Sequence, residues 1–410
     1  MSISIRDLKG KKLGVCVSGG LDSKTISLRL KEAGCDVLCF TADLAQPDET
    51  DIQGVVAKMA PCGVETVVVD LKREMADICL ETVKAQAVYD GGYWNSTGIG
   101  RAVTVKGLVG AMRERGVEVL CHGATGRGND QMRFERYTNV FAPDMLVYAP
   151  WRDAELLRQF PGRTQMCEYL ATKGIVAFPG GKKRYSTDCN LAGLSHEAED
   201  LESMQTAMTI VEPTMGVWPM QAPDEIEEVS VTFEKGIAKA VNGEELDPLA
   251  LMLAVNRIGG RNGLGLSHAL ENRIVGTKSR GVYEAPGMEL LGQALRYVYQ
   301  ATMDRRATTD FLRLSRFVGE QIYDGRWYDP ATRAARAAID VYAQYATGTV
   351  RVGLYKGNVL FLSLDGVKAS LYHEEDSSME ASAGLNPVSS QGFAEIQSVE
   401  AKSLAYAGQI

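Results

Sequence analysis

The chain has 410 residues, which is long for a single hydrophobic core, so two or three domains are expected. Its net charge of −8 and isoelectric point near 5.3 give it no general attraction for nucleic acid or an anionic membrane surface. The eight cysteines are scattered without a C-x-x-C pair, no secretory segment opens the chain, and no apolar run approaches the roughly 20 residues of a membrane span. We therefore expect a cytoplasmic protein with reduced thiols and small-molecule partners, and no nucleic acid or membrane partner.

The first predicted unit, residues 12–33, is a buried strand, a glycine turn and an amphipathic helix. The turn, residues 18–23, has the sequence Ser-Gly-Gly-Leu-Asp-Ser. Its adjacent glycines can adopt a positive φ, its serines supply hydroxyls, and the helix directs free N–H groups into the same hollow. These features predict a phosphate site, and a plain strand-to-helix turn is the alternative.

This turn does not match the glycine patterns of P-loop or dinucleotide-binding proteins. It resembles the S-G-G-x-D-S loop of the N-type ATP pyrophosphatases, which cleave ATP between its α and β phosphates. Asp22 then has two interpretations, because it could cap the N–H groups of the helix or contact Mg²⁺ through the pyrophosphate.

Residues 1–175 alternate between strands and helices, which indicates an α/β fold with a parallel sheet covered on both faces. Ligands bind beyond the carboxyl ends of such strands, so the loops at 18–24, 41–46, 89–101 and 122–133 are expected to meet. Further strands are predicted over 36–41, 65–69, 117–121 and 145–149, and further helices over 50–59, 72–85 and 103–115.

From about residue 176 the pattern changes to α+β, and residues 374–390 are rich in Ser, Glu, Asp and Ala, as in a linker. The expected domains are therefore 1–175, 176–373 and 374–410. The final amphipathic stretch, 392–407, could pack on a neighbouring subunit or fold back on its own domain. Strands are predicted over 229–233 and 238–241, helices over 248–255, 290–302, 310–325 and 330–345, and a hairpin over 348–364.

Residues 122–135, with three glycines followed by polar and charged groups, suit a polar ligand cradle better than a core. They resemble the H-G-x-T-G-K-G-N-D-Q-x-R-F-E loop of the argininosuccinate synthase family, with Arg127 where the family usually has lysine. At the head of the loop, His122 is expected to orient it by hydrogen bonding rather than to act as a base. The resemblance, in places closest to the longer bacterial branch, continues at 41–49, 149–152, 185–191, 195–197, 256–263, 271–273 and 278–287.

The resemblance implies an ATP pyrophosphatase domain, a synthetase domain and a C-terminal oligomerisation segment that forms a homotetramer. It implies ATP and Mg²⁺ as cofactors and assigns no metal ligand to the protein itself. The residues named as catalytic are Asp22, Ser18, Thr125 and Asp130. ATP would be bound by Cys16, Val17, Ser18, Gly19, Gly20, Leu21, Asp22, Ser23, Lys24, Ala42, Gly123, Thr125 and Asp188. Aspartate would be bound by Thr125, Asn129 and Asp130, and citrulline by Tyr93, Asn129, Arg133, Ser186, Ser195, Glu197, Glu271 and Tyr283.

The implied reaction joins citrulline to aspartate through a citrullyl-adenylate, giving argininosuccinate, AMP and pyrophosphate, in arginine biosynthesis. The residue types suit it, because the ammonium groups of the two amino acids need carboxylates such as Asp130, Glu197 and Glu271, and a carboxylate needs a fork such as Arg133. Another ureido acceptor in a specialised pathway is the alternative. Other N-type pyrophosphatases would bring a glutaminase cysteine system, a basic RNA surface or catalytic cysteine pairs, and none of these is evident in the sequence. A non-enzymatic nucleotide sensor would not need the residues assigned to citrulline, and those residues are present.

Three positions depart from the family pattern. Lys24 replaces a serine, and its ammonium could bind phosphate directly or extend to solvent. Gly98 stands where one branch has a citrulline-contacting serine. Leu266 and His268 replace an arginine and an aspartate found in many members.

Overall fold

The computed structural model describes residues 3–49, 51–176, 185–380, 384 and 386–410. Its first sheet consists of β1 (Lys12–Cys16), β2 (Asp36–Asp43), β3 (Glu65–Asp70), β4 (Val119–His122) and β5 (Leu146–Tyr148). All neighbouring strands are parallel and their order is β3-β2-β1-β4-β5, so the predicted parallel sheet is confirmed. Leu13 and Val15 of the central strand are fully buried, because helices cover both faces of such a sheet.

Seven helices are described in the same part of the chain. One core packs β1 against α1 and α7, and the other packs β2 and β4 against α3 and α4. They are α1 (Leu21–Glu32), α2 (Gln53–Met59), α3 (Lys72–Lys84), α4 (Ser96–Glu114), α5 (Asp130–Phe141), α6 (Ala154–Gln159) and α7 (Arg163–Thr172).

Two predicted boundaries near the ligand loops are wrong. Helix α4 begins at Ser96 rather than at residue 103, because its glycine-containing first turns are buried and the N–H of Thr97 donates to the hydroxyl of Tyr93. The glycine loop ends at Asn129, because α5 starts at Asp130, and this helix was not predicted. Both ligand loops are therefore shorter and more rigidly held than the sequence pattern indicated.

The second half contains two antiparallel sheets. The four-stranded sheet has the order β11-β12-β7-β6, and it contains β6 (Ser186–Asn190), β7 (Gly193–Glu197), β11 (Leu266–Asn272) and β12 (Lys278–Glu284). None of these strands was predicted. The five-stranded sheet has the order β10-β9-β8-β13-β14, and it includes the predicted hairpin. It contains β8 (Glu227–Glu234), β9 (Ile237–Val241), β10 (Glu244–Glu245), β13 (Gly348–Tyr355) and β14 (Asn358–Asp365).

The predicted helices of the second half are present, with α8 and α9 longer than expected. They share one core with α3 and α4 of the first half, so the two halves are packed together. These helices are α8 (Pro248–Arg261), α9 (Pro286–Thr302), α10 (Arg305–Tyr323) and α11 (Pro330–Ala343). The expected domain limits stay a prediction.

The C-terminal segment contains α12 (Glu374–Ser377), within the predicted linker, and α13 (Ser389–Tyr406). Linker residues 381–383 and 385 lie outside the described part of the chain. Helix α13 does not fold back on its own domain, since Phe393 and Ile396 are 69% and 70% exposed. The eight cysteines are free thiols. Among the described residues, no helix has the length and apolar character needed to cross a bilayer.

Candidate active site

The predicted phosphate loop is a tight turn between β1 and α1. Gly19 has a φ of +76°, which favours glycine, and the N–H of Ser18 donates to the Oγ of Ser23 at 3.0 Å, closing the turn. The first turn of α1 follows directly, so its N–H groups point into the same hollow. This arrangement can hold a phosphate anion.

Asp22 lies in that first helical turn. Burial raises the pKa of its carboxyl, against the opposing effects of its own backbone N–H and the charge of Arg163. A cation near this carboxylate would favour its ionised form. No cluster of three or more His, Cys, Asp or Glu side chains suited to a metal occurs among the described residues. A Mg²⁺ ion contacted by Asp22 stays a prediction.

Lys24 does not extend to solvent, so that interpretation of the departure is wrong. Its side chain is buried, with 6% of its surface exposed, and its ammonium donates to the carbonyl of Val176 at 3.2 Å. This hydrogen bond connects α1 to the segment after α7. A phosphate contact of Lys24 stays a prediction.

The glycine loop lies beside the phosphate loop. A Cβ placed on Gly123 would lie 3.6 Å from the Cβ of Asp22, and the side-chain amide of Gln131 donates to the carbonyls of Gly126 and Gly128. These bonds fix the loop that carries Thr125. The sheet topology and this contact bring together two of the four loops that were predicted to meet, 18–24 and 122–133.

His122 does not orient the loop as expected. Its ring is fully buried and stacks on Phe134 with the ring centroids 5.1 Å apart. Neither ring nitrogen has a hydrogen-bond partner in the described structure, and burial lowers the pKa of the imidazole to about 4. His122 therefore acts as a neutral packing residue at the end of β4.

The loop after β2, which was predicted to lie among the ligand loops, contacts the four-stranded sheet. The N–H of Leu191 donates to the carbonyl of Leu44, and the thiol of Cys189 donates to the carboxylate of Asp48. Ala42 is buried near the end of β2, on the same edge as Cys16 of β1. The predicted ATP residues therefore lie around one end of the parallel sheet, next to β6.

One face of the four-stranded sheet carries most of the predicted substrate residues. Side chains that pair directly across antiparallel strands point to the same face. Asp188 on β6 pairs with Ser195 on β7, which pairs with Tyr283 on β12. The same alternation places six predicted residues together: Ser186, Asp188, Ser195, Glu197, Glu271 and Tyr283.

A partly buried ion-pair chain joins this face to the first half. Arg101 on α4 donates to Asp130 at 2.9 Å and to Asp188 at 2.6 Å, and Arg133 donates to the other oxygen of Asp130 at 3.0 Å. Burial by itself would raise the pKa of Asp130, but the two guanidinium groups hold it below its usual range. Asp130 is therefore an ionised carboxylate whose position is set by two arginines.

Arg133, predicted to hold a citrulline carboxylate, is itself held by the protein. Its Nε and one Nη donate to the backbone carbonyl of Tyr323 at 2.9 and 2.8 Å, and only 3% of its surface is exposed. Asn129 donates to the hydroxyl of Tyr323 at 2.8 Å and accepts from the N–H of Ile274. Only the remaining N–H groups of Arg133 and Asn129 are available to a ligand.

Two stacked tyrosines form another wall of the same pocket. The rings of Tyr93 and Tyr283 have centroids 4.1 Å apart. The hydroxyl of Tyr283 is buried without a hydrogen-bond partner among the residues that are described. A buried unpaired hydroxyl is costly, so a ligand that hydrogen-bonds to it would be favoured.

Two glutamates of the pocket have carboxyl pKa values above the ordinary value. Burial, with the nearby charges of Glu271, Asp130 and Asp188, raises the pKa of Glu197 to about 7. Burial also raises the pKa of Glu271, while Tyr323 and Arg133 oppose that rise. An ammonium group bound here would stabilise both carboxylates.

The departures at Gly98 and His268 have structural reasons. A Cβ on Gly98 would approach the carbonyl oxygen and Cγ2 of Ile322 to 2.9 Å, so glycine allows α4 and α10 to touch. The Nε2 of His268 accepts from Arg280 at 3.0 Å. Nothing in the structure explains the replacement at Leu266.

His196 points away from the substrate residues. It is bonded to Glu284 at 2.7 Å, on the opposite face of the four-stranded sheet from Ser195 and Glu197. This buried pair supports the sheet.

Arg101 and Tyr323 were not predicted as site residues. Both lie on helices whose periodicity indicates only a buried face, so no local pattern marks them. The signal for Arg101 was its place at the end of the loop 89–101, which was expected to meet the other ligand loops.

A parallel sheet with a phosphate loop beyond its carboxyl edge is typical of a nucleotide-binding enzyme. The model of the arginosuccinate synthase N-terminal HUP domain matches residues 12–176, and that of the arginosuccinate synthase C-terminal domain matches residues 185–404. The argininosuccinate synthase of Rhodopirellula baltica is 38% identical over 395 residues, covering 96% of this chain and 97% of its own. The chain belongs to the argininosuccinate synthase family.

A solved structure of another protein gives no further information. The NADH-dependent reductase A1-R′ complexed with NAD aligns with 42% of this chain and 58% of its own, at 16% identity and a TM-score of 0.17. A similarity this low carries no argument about fold or function.

Proposed function

We propose that the protein joins citrulline to aspartate at the expense of ATP, forming argininosuccinate, AMP and pyrophosphate. The observation that carries this proposal is the ion-pair chain from Asp188, beside the phosphate and adenine loops, through Arg101 and Asp130 to Arg133. The pocket brings the carboxyl groups of Asp130, Asp188, Glu197 and Glu271 near the guanidinium groups of Arg101 and Arg133. Carboxylates suit the ammonium groups of the two amino-acid substrates, and guanidinium groups suit their carboxylates.

The reaction has two steps. The ureido oxygen of citrulline attacks the α-phosphorus of ATP, and the bond to the β-phosphate breaks to release pyrophosphate. The aspartate nitrogen, after losing a proton, then attacks the ureido carbon, and AMP leaves with the former ureido oxygen. No side chain of the chain needs to become a covalent nucleophile, so catalysis depends on positioning and charge stabilisation.

Some of the predicted site residues would bind ATP, and others would bind the amino-acid substrates. Backbone N–H groups of residues 18–23 would hold the transferred phosphates, with Ser18 and Asp22 beside them. Thr125 would contact the α-phosphate or aspartate from the glycine loop, and Asp130 would bind the aspartate ammonium with the oxygen lone pairs that its arginines leave free. When bound, Mg²⁺ near Asp22 would supply positive charge to the pyrophosphate.

Citrulline would lie against the face of the four-stranded sheet. Glu197 and Glu271 suit its α-ammonium, and the donors of Arg133 that remain free suit its α-carboxylate. The buried hydroxyl of Tyr283 would hydrogen-bond to the same ligand. A different ureido acceptor is the second candidate, because Gly98 shapes the pocket wall through its contact with Ile322.

The same proposal includes a homotetrameric assembly and a cytoplasmic location. Helix α13 exposes Phe393, Ile396 and Val399 on successive turns, an apolar stripe that suits packing on another subunit of a homotetramer. The free thiols suit the cytoplasm.

The test uses citrulline labelled with ¹⁸O in the ureido group, together with ATP and aspartate. We expect AMP and pyrophosphate as products, with the label in the phosphate of AMP. Other ureido compounds, tested in parallel, identify the acceptor by relative kcat/KM. ADP as the nucleotide product, or unlabelled AMP, would overturn the proposed reaction.

A further inference from the structure

We propose that Tyr323, the last residue of α10, is a positioning residue that sets the acceptor pocket by holding Arg133 and Asn129 and by stabilising the carboxylate of Glu271. This inference rests on the proposed function, because it assigns a role within the citrulline pocket. It adds a residue from a helix that carries none of the predicted substrate contacts.

The backbone carbonyl of Tyr323 positions Arg133. It accepts both the Nε and an Nη donor of the guanidinium, whose central carbon lies 5.0 Å from the centre of the Tyr323 ring. A carbonyl at the end of a helix lacks an intrahelical partner and lies at the negative end of the helix dipole, so a buried cation is well placed there. Gly325, with a φ of +75°, permits this approach, since a Cβ there would lie 3.1 Å from the Cγ of Arg133.

The hydroxyl of Tyr323 acts on two other residues. It accepts from the Nδ2 of Asn129 at 2.8 Å, and its interaction with Glu271 favours the carboxylate form of that side chain. The side chain of Tyr323 therefore links the end of α10 to the glycine loop. Asn129, Arg133 and Glu271 were all predicted to contact citrulline.

Tyr323 is itself held rigidly. Only 1% of its surface is exposed, and its ring stacks on Tyr89 with the centroids 3.8 Å apart and the planes at 15°. The preceding residue, Ile322, packs against the bare Cα of Gly98. The departure from the family pattern at Gly98 therefore permits the close packing of α10 that places Tyr323.

The hydroxyl also affects the charge of Glu271. Burial raises the pKa of Glu271, and the hydrogen bond from Tyr323 opposes that rise by stabilising the carboxylate. An ionised Glu271 is the form that can bind an ammonium group. Removing the hydroxyl should therefore shift the acidic limb of citrulline binding to higher pH. The other titratable or charged groups that face Glu271 are Arg133, Arg273, Asp90, Glu197, Tyr89 and Tyr93.

The experiment measures citrulline binding to Tyr323→Phe from pH 5 to 9 in the presence of α,β-methylene-ATP, which cannot be cleaved. We expect about a three- to tenfold weaker affinity at pH 7.5, the loss of one hydrogen bond, and an acidic limb displaced to higher pH. Affinity for the ATP analogue should stay within about twofold. Tyr169→Phe is the matched control, because its hydroxyl also donates to a glutamate, Glu32, far from the pocket.

A second variant separates the two roles of Tyr323. Gly325→Ala crowds Arg133 and leaves the hydroxyl in place, so it should weaken citrulline binding and move the acidic limb less than Tyr323→Phe does. It also tests the inference if Tyr323→Phe loses binding of the ATP analogue through misfolding. Wild-type protein that binds no citrulline would refute the proposed function. Wild-type protein that binds citrulline, with both variants matching it at every pH, would refute the positioning role alone.

Discussion

Replacing Arg133 by lysine tests whether its buried guanidinium both stabilises the fold and binds the acceptor. Arg133 makes three hydrogen bonds within the protein, two to Tyr323 and one to Asp130, and a lysine can keep the charge but cannot reproduce the planar arrangement. Two of the bonds should be lost. At a net value of about 0.5–1.5 kcal/mol each, the free energy of unfolding should fall by about 1–3 kcal/mol.

The same substitution removes the donors that Arg133 has left for a ligand. A charge-assisted pair contributes about 1.5–3 kcal/mol, so citrulline should bind at least about tenfold more weakly. ATP affinity should change little. Glu271→Gln should weaken citrulline binding by a similar factor, and the double variant should lose less than the sum of the singles if both residues hold one ligand.

The assay is equilibrium binding of citrulline and ATP by calorimetry, with urea unfolding of the same samples. Arg136→Lys is the matched control, because Arg136 lies on the same helix, is partly exposed and pairs with Asp329 away from the pocket. It should leave citrulline affinity unchanged. Normal citrulline binding by Arg133→Lys, with loss of ATP or aspartate binding instead, would refute the assignment of Arg133 to the acceptor.

Three further predictions concern the phosphate loop, the helix contact and the charge of the pocket. Asp22→Asn should keep the fold and lower the rate of AMP formation by more than about tenfold, or 1.4 kcal/mol of barrier, whereas a smaller loss would favour a capping role. Gly98→Ser should lower the melting temperature and weaken citrulline binding, because its Cβ would meet Ile322, while Gly110→Ala on the same helix, where a Cβ meets nothing within 4 Å, should be tolerated. Glu197 has a pKa of about 7 in the folded protein, against 4.5 for an ordinary glutamate, so the folded state holds a proton that the unfolded state releases. The stability of the ligand-free protein should therefore fall as the pH rises from 4.5 to 7. Glu197→Gln should remove this slope in urea unfolding, and an unchanged slope would contradict the shift.

The sequence alone determined the first sheet and the loops around its carboxyl edge. Strand and helix periods are properties of neighbouring residues, so alternation was enough to predict a parallel sheet, and that topology places the first and last ligand loops side by side. Glycine patterns are equally local, because a positive φ at Gly19 and a tight approach at Gly123 depend on the absence of a side chain at one position.

Only the tertiary structure decided which side chains the pocket uses and how. The four-stranded sheet brings residues near 190 beside residues near 280, and pairings this distant in sequence leave no local periodicity to read. Lys24 lies next to a phosphate loop, yet its ammonium reaches Val176, because packing of α1 directs it there. Arg101 and Tyr323 belong to helices whose sequence indicates only a buried face. Their roles arise because carboxylates and backbone carbonyls from other elements must be paired once they are buried, and only the packed chain shows which donors reach them.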